Sequence, residues 1–206
     1  MVEMVQGEGG VVPLTQAFAD ALRDISENQG IPLIVDEVQT GNGRTGALYA
    51  YMRYGLSPDI VSTAKGLAGG LPLGATMLSE RMQNVFTPGL HGSTFGGNPV
   101  CCAGAVSVLS RINDTLLITV CAKSSLIINE LKGAKGVKSV TGLGLMLGIE
   151  TTGDAAALAK KCLARGVLIL MAHGKLRLLP ALNIPEDLLL QALDTVKAVC
   201  AEEENA

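Results

Sequence analysis

An acid and an amine stand at the ends of two apolar runs in the first third of the chain. The run at residues 32–35 leads into Asp36, and the run at residues 59–64 leads into Lys65. An amine can condense with an aldehyde, and a carboxylate can keep a pyridine nitrogen protonated so that the ring accepts electrons. An amine and an acid at two strand ends are what a pyridoxal phosphate cofactor requires.

Each of the two residues also has a plain structural interpretation, and the pair is stronger evidence than either residue alone. A strand-end Asp is often a turn or cap residue, and a strand-end Lys is often simply solvated. In open α/β sheets, however, ligands bind at the carboxyl ends of strands. The glycines at residues 66–70 would let the backbone and a ligand approach closely. This turn lacks the Gly-Lys-Ser/Thr of a nucleotide-binding P-loop, which excludes that alternative.

Helix and strand signals alternate around this pair. Thr15 is a candidate N-cap for a helix that Gly30 ends, and the strand at residues 32–35 follows. Further strands are predicted at residues 59–63 and 73–78, and one strand at residues 1–6 precedes the helix. The alternation predicts an α/β fold with a mostly parallel sheet.

The order of elements changes in the second half of the chain and predicts a small α+β domain. The predicted helices lie at residues 98–112, 114–133, 155–165 and 186–200, and the predicted strands at residues 137–140, 145–150 and 167–170. We place the boundary near residue 110, which gives two domains at residues 1–110 and 111–206.

Composition excludes several classes of function. Hydrophobic residues make up 48% of the chain and charged residues only 17%, against about 25% charged in an ordinary soluble domain. This apolar excess indicates a surface that another polypeptide covers. A net charge of -3 without a basic cluster is no footprint for nucleic acid, and no apolar stretch reaches the roughly 18 residues that span a membrane.

The cysteines indicate a reducing, cytoplasmic setting rather than a metal site. There are five, without C-x-x-C spacing, and only two histidines accompany them. An odd number of unpatterned cysteines fits neither a disulfide framework nor a zinc site.

A series of sequence segments occurs in the order and spacing of one enzyme family. The segments lie at residues 6–10, 36–41, 43–46, 57–60, 64–67 and 91–99, and the similarity continues through residues 142–146 and 176–180. The chain resembles the C-terminal half of a class III (subgroup II) pyridoxal-phosphate aminotransferase of the acetylornithine or ornithine type. The resemblance covers essentially the whole chain and implies a fold type I transferase. Residues 1–110 would be part of the large cofactor-binding domain, and residues 111–206 the small C-terminal domain.

The resemblance implies a cofactor role for a first group of residues. Lys65 would bind the aldehyde of pyridoxal 5'-phosphate covalently and then move the proton during transfer, as a base in a buried site. Asp36 would pair with the pyridinium nitrogen, with Glu37 beside it among the cofactor-binding residues. Val38 would pack on one face of the ring, and Gln39 would hydrogen-bond near its phenolic oxygen.

A second group of residues would bind the substrate and complete a neighbouring site. Thr94 would reach the phosphate of the neighbouring subunit's cofactor, with Ser93 beside the substrate, so the resemblance implies a homodimer. Arg177 would bind the substrate carboxylate through a bidentate fork. Glu8 would pair with Arg177 for a longer amino donor and release it for glutamate. From the residues alone, Glu8 is a turn residue and Arg177 a strand-end charge.

The implied reaction moves an amino group from N-acetylornithine, or a similar ω-amine, to 2-oxoglutarate, giving glutamate in arginine biosynthesis. Alternative donors are ornithine, succinylornithine and 4-aminobutyrate, and an aminomutase reaction also stays open. A non-catalytic fragment is the alternative from a different class. The implied partners are small amino acids and 2-oxo acids, with no nucleic acid, membrane or metal.

The chain departs from the family pattern in two residues and in extent. Met4 and Ala181 each stand where the family has a proline, and these changes could loosen the loops that carry Glu8 and Arg177. The N-terminal half of a family subunit would supply a glycine-rich phosphate loop, an aromatic ring that stacks on the cofactor and an arginine for the distal part of the substrate.

We therefore expect the purified 206-residue chain to bind pyridoxal phosphate weakly and to turn over poorly. The physical reason is that part of the site's walls would come from the absent segments. Absorbance of bound cofactor and glutamate formation measure this. Robust transaminase activity with a fully occupied cofactor site would contradict the prediction.

Overall fold

The computed structural model describes residues 1–203, which form two compact units. The first unit consists of Met1–Met4, Leu14–Gly43 and Ala47–Asp114, and the second of Val5–Pro13, Arg44–Gly46 and the chain from Thr115 onward. The chain thus enters the second unit twice, in short segments, before it stays there. A single boundary near residue 110 does not describe these two early segments, and the assignment of the units to a large and a small domain stays a prediction.

The described chain contains ten strands, five α-helices and three short 3₁₀ helices. The strands are β1 Val2–Glu3, β2 Val5–Gln6, β3 Val12–Pro13, β4 Ile34–Asp36, β5 Ile60–Thr63, β6 Ala75–Leu78, β7 Val137–Leu143, β8 Met146–Thr151, β9 Leu170–Ala172 and β10 Lys175–Leu178. The helices are α1 Gln16–Gln29, α2 Pro99–Leu109, α3 Asp114–Leu131, α4 Ala155–Ala164 and α5 Glu186–Glu203.

The first unit is built on a four-stranded sheet with the order β1-β4-β5-β6. The pairs β1–β4 and β4–β5 are parallel, and β6 joins the edge antiparallel to β5. The prediction of an α/β fold with a mostly parallel sheet is confirmed. The core of this unit contains Met4, Ala19, Leu33, Val35, Ala50 and Leu56.

Helix α1 shows why the local sequence signals worked. The Thr15 hydroxyl accepts a hydrogen bond from the Phe18 backbone N–H and so satisfies one of the free donors at the helix start. At the other end Gly30 has φ 68°, in the left-handed region where glycine has no steric penalty. Both predicted ends of this helix are confirmed.

The second unit has an antiparallel sheet with the order β7-β8-β10-β9, packed with α3, α4 and α5. Its core is larger than that of the first unit and includes Ile127, Leu131, Leu147, Ile149, Leu158, Leu176, Leu193 and Val196. The apolar side chains of both sheet and helices face this core, as a small α+β fold requires.

Several predicted strands are wrong in their bounds. The strand predicted at residues 167–170 instead begins at Leu170, and β9 and β10 form a hairpin through His173 and Gly174. Both turn residues have positive φ, 47° and 77°, as a two-residue hairpin turn requires. The single strand predicted at residues 1–6 is interrupted at Met4: β1 pairs with β4, whereas β2 pairs with β3.

No single helix among the described residues has the length and apolar character to cross a membrane. Helices α2 and α3 would have that length and apolar character only together, as a pair that is bent at the break between them.

The core of the second unit makes a testable prediction. Leu147 is 0% exposed and Leu168 is 79% exposed. Leu147→Ala should lower the free energy of unfolding by about 2–5 kcal/mol, because it removes buried methyl groups and leaves a cavity. Leu168→Ala, the control, should change it by less than about 0.5 kcal/mol. Urea unfolding followed by circular dichroism measures both, and equal effects would contradict the assigned core.

Candidate active site

The parallel pairing of β4 and β5 brings Asp36 and Lys65 to the same edge of the first sheet. Asp36 lies opposite Ser62 and is the last residue of β4, and Lys65 follows the end of β5 by two residues. Asp36 is half-buried and Lys65 is exposed to solvent in this chain. The structure therefore places a carboxylate and an amine at the carboxyl ends of neighbouring parallel strands, where ligands of α/β sheets bind.

Asp36 begins a turn that carries two of the other predicted site residues. Its Oδ1 accepts a hydrogen bond from the Val38 backbone N–H at 2.9 Å, which holds the carboxylate beside its own backbone. Val38 and Gln39 follow in the turn and are both half-buried. Their contacts with a cofactor stay a prediction.

Glu37 differs from its neighbours because its side chain is fully buried. Its carboxylate accepts hydrogen bonds from the Thr40 hydroxyl at 2.5 Å and from the Tyr51 backbone N–H at 2.8 Å. Burial raises the pKa of the Glu37 carboxyl, and the hydrogen bonds oppose that effect. Through these hydrogen bonds the Glu37 carboxylate stabilises the loop. They do not support the predicted contact between Glu37 and the cofactor.

Lys65 leaves the end of β5 with an uncommon backbone conformation. Its φ is 49°, and it begins a short 3₁₀ helix, Lys65–Ala68. The Asn42 side-chain amide donates hydrogen bonds to the Thr63 hydroxyl at 3.1 Å and to the Ala64 carbonyl at 3.2 Å. The sequence reasoning missed Asn42. An asparagine between two glycines, Gly41 and Gly43, is a signal for left-handed backbone that could have identified it.

Ser93 and Thr94 lie in an exposed turn of the first unit. The Ser93 carbonyl accepts a hydrogen bond from the Gly96 backbone N–H at 3.3 Å. Large apolar side chains of the same part of the chain are exposed, namely Val85, Phe86, Leu90, Phe95, Val100 and Val106. This surface agrees with the apolar excess of the composition, and the dimer inferred from it stays a prediction.

In the second unit, Arg177 and Glu8 form the ion pair that the family resemblance implied. Arg177 Nη1 lies 2.7 Å from Glu8 Oε1. The Arg177 side chain is 11% exposed, whereas that of Glu8 is 74% exposed. Arg177 Nε is buried without a hydrogen-bond partner among the described residues. The guanidinium thus keeps unused donor capacity beside a carboxylate that solvent reaches easily.

The half-buried cation Arg44 and the buried cation Lys123 hold the segment that follows Arg177. Arg44 Nη1 donates a hydrogen bond to the Pro180 carbonyl at 2.5 Å, and Lys123 Nζ donates one to the Leu182 carbonyl at 3.3 Å. Burial lowers the pKa of the Arg44 guanidinium, although arginine stays charged in proteins. Both neighbours of Ala181, where the family has a proline, therefore have anchored carbonyls. The sequence reasoning did not identify either cation.

The described part of the chain shows free cysteines and no cluster of metal ligands. No group of His, Cys, Asp and Glu side chains there could hold a metal ion. All five cysteines are free thiols, and Cys162 and Cys200 are buried in the core of the second unit.

Comparison with known proteins assigns the fold and then the family. An ornithine aminotransferase from Toxoplasma gondii, whose structure shows partial occupancy of PLP at the active site, superposes with a TM-score of 0.92 and 32% identity, over 99% of this chain and 51% of that one. The Aminotransferase class-III family profile matches residues 1–200. The chain belongs to the class-III aminotransferase family.

Its curated relatives carry two different substrate names. Acetylornithine aminotransferase of Haemophilus ducreyi is 45% identical over 204 residues, which are 98% of this chain and 52% of the relative. Succinylornithine transaminase of Salmonella typhimurium is 44% identical over 210 residues, which are 97% of this chain and 52% of the relative. The chain therefore spans about half the length of the curated relatives it matches.

The buried Glu37 carboxylate makes stability depend on pH. The pKa of the Glu37 carboxyl is raised in the folded state, so the folded chain binds its proton more tightly than the unfolded chain does. The stability that this proton contributes is complete below the ordinary glutamate pKa. It is lost as pH rises through the folded-state pKa. Glu37→Gln keeps one acceptor and one donor for Tyr51 and Thr40 but cannot ionise. We expect the variant to gain stability relative to the unaltered chain as pH rises above the ordinary glutamate pKa.

Urea unfolding midpoints at several pH values measure this difference, with exposed Glu27 changed to Gln as the control. A difference between Glu37→Gln and the unaltered chain that does not change with pH would contradict the assigned role.

Proposed function

We propose that this chain carries the catalytic lysine and the carboxylate-binding arginine of a pyridoxal-phosphate-dependent transaminase. The reaction would move an amino group from an ornithine-type ω-amine, N-acetylornithine in the leading case, to 2-oxoglutarate in arginine biosynthesis. The observation that carries the proposal is the placement of Asp36 and Lys65 at the ends of adjacent parallel strands in a class-III aminotransferase.

The available donor set fits pyridoxal phosphate. Asp36 offers a half-buried carboxylate for the ring nitrogen, and Lys65 offers an exposed amine at the same sheet edge for the aldehyde. When bound, the cofactor would supply an electron sink for charge that develops at the substrate α-carbon. Val38 and Gln39 stand in the turn after Asp36, where they would pack on and hydrogen-bond to the ring.

Each of the site residues would have its own role in the reaction. Asp36 would keep the ring nitrogen protonated, because a negative carboxylate nearby favours the positively charged form of that nitrogen. The Lys65 amine, once free, is the base that takes a proton from the substrate and returns it. Ser93 would lie beside the substrate. Thr94 would bind the phosphate in a neighbouring subunit, which makes a homodimer the expected active form.

The ion pair between Arg177 and Glu8 supports the substrate class. A transaminase of this type must accept a donor whose reacting end is an amine without a carboxylate, and then 2-oxoglutarate, whose reacting end carries one. With Glu8 paired, the Arg177 charge is neutralised and the donor fits; when Glu8 releases it, the guanidinium can bind the carboxylate of 2-oxoglutarate through two parallel hydrogen bonds.

Sequence identity to the relatives does not decide which amino donor the enzyme uses. The acetylornithine and succinylornithine relatives match at 45% and 44% identity, which does not separate an acetyl from a succinyl group. N-Acetylornithine stays our leading donor, with succinylornithine, ornithine and 4-aminobutyrate as alternatives. Glutamate formation from 2-oxoglutarate with each donor would rank them.

Covalent labelling of Lys65 tests the proposal. The amine condenses with the aldehyde of pyridoxal phosphate and releases water, and borohydride then reduces the C=N bond to a stable secondary amine. We expect peptide mass spectrometry to find the label mainly on Lys65, in excess over the exposed Lys138. The yellow absorbance before reduction should disappear in Lys65→Ala.

Lys138→Ala serves as the matched control, because it removes an exposed amine outside the proposed site and should keep the absorbance. Equal labelling of Lys65 and Lys138 in the unaltered chain would contradict the proposed function and favour a non-catalytic fragment.

A further inference from the structure

Asn42 is a buried amide whose orientation is decided by one carbonyl group. The residue is 6% exposed and has φ 56°. Its Nδ2 lies 3.1 Å from Thr63 Oγ1 and 3.2 Å from the Ala64 carbonyl oxygen. Its Oδ1 is buried without a hydrogen-bond partner among the described residues. Turning the amide would place Oδ1 against the Ala64 carbonyl, which cannot donate, so donation to Ala64 fixes the orientation.

The Ala64 carbonyl controls the backbone of Lys65. This carbonyl and the Lys65 backbone N–H belong to one planar peptide unit, so a tether on the oxygen restricts the φ angle of Lys65. That angle is 49°, a region that side chains other than Gly, Asn and Asp rarely adopt. The same oxygen accepts a hydrogen bond from the Leu67 backbone N–H at 3.0 Å and so begins the 3₁₀ helix.

The loop that presents Asn42 begins at Asp36. The Gly41 backbone N–H donates a hydrogen bond to the Glu37 carbonyl at 2.9 Å, which closes the turn. A Cβ atom on Gly41 would lie 2.7 Å from that carbonyl oxygen, so only glycine allows the closure. The Glu37 carboxylate binds the Thr40 hydroxyl and stiffens the same turn. Asn42 is therefore delivered to Ala64 by a loop with little freedom.

We propose that Asn42 is a positioning residue for Lys65. It holds the Ala64–Lys65 peptide unit in the one orientation that starts the Lys65 side chain from a left-handed backbone, and it thereby sets the direction of the amine. Asn42 acts through the Ala64 carbonyl and not through contact with a substrate or cofactor. Because Lys65 has its catalytic role only under the proposed function, the test needs one readout with the cofactor and one without it.

Hydrogen exchange of the Leu67 amide is the readout that needs no cofactor. Asn42→Gly tolerates the positive φ and removes the whole side chain, including its amide. We expect the Leu67 amide to exchange about tenfold faster in this variant, because the Ala64 carbonyl that it binds loses its second tether. Tyr49→Phe is the matched control: the Tyr49 side chain hydrogen-bonds to Thr63, so the control removes a partner of Thr63 but leaves the Ala64 contact. Leu67 exchange should not change in the control.

Labelling by pyridoxal phosphate and borohydride is the second readout, with the label on Lys65 expressed relative to exposed Lys138. We expect this ratio to fall about tenfold in Asn42→Gly, in line with the loss of oriented hydrogen bonds. Asn42→Asp should show the same fall. It keeps the shape and the tolerance for positive φ but sets an acceptor against the Ala64 carbonyl. Both are compared with Tyr49→Phe under conditions in which every variant is folded.

The outcomes separate this role from the proposed function. Faster Leu67 exchange together with a lower labelling ratio supports the role of Asn42. Preferential labelling of Lys65 that is the same in all variants overturns that role and leaves the proposed function standing, whatever the exchange rate. Equal labelling of Lys65 and Lys138 in the unaltered chain overturns the proposed function and the role of Asn42 with it.

Discussion

The parallel pairing of β4 with β5 is the constraint on which the candidate site depends. Val35 and Val61 are paired across the two strands and both are buried, Val35 in the core of the first unit. Because side chains alternate along a strand, a slip of one residue would turn these valines outward and move the strand ends apart. The burial of two small apolar residues thus keeps Asp36 and Lys65 at one edge.

Polar groups complete what the sheet begins. A buried carboxylate is stable only when hydrogen bonds replace its lost water, and Glu37 obtains these from Thr40 and the Tyr51 backbone. The resulting loop carries Asp36 at its start and Asn42 near its end. Asp36, which is expected to bind the cofactor, and Asn42, which holds the Lys65 backbone, therefore belong to one short segment. A change at Glu37 should alter the positions of both.

In the second unit, Arg177 lies on a well-packed strand but forms only a weak ion pair with Glu8. The core of this unit supports the strand that carries Arg177, and the cations Arg44 and Lys123 hold the segment that follows it. The bond from Arg177 to Glu8 is different, because a largely exposed partner makes such a pair worth only about 0–1 kcal/mol. A pair of this strength allows Glu8 to be exchanged for another carboxylate, as the role proposed for Arg177 requires.

The sequence by itself determined the α/β class, both ends of helix α1 and the family, because caps, apolar runs and motif spacing are local properties. It also indicated Asp36 and Lys65, whose predicted roles await the labelling experiment. The tertiary structure decided what depends on residues distant in sequence: the break at Met4 that gives β1 and β2 different partners, the burial of the Glu37 carboxylate, and the contacts of Asn42 with Ala64 and of Arg44 with Pro180. The physical reason is that strand partners, burial and hydrogen bonds between distant residues depend on how the whole chain folds and have no periodicity in the sequence.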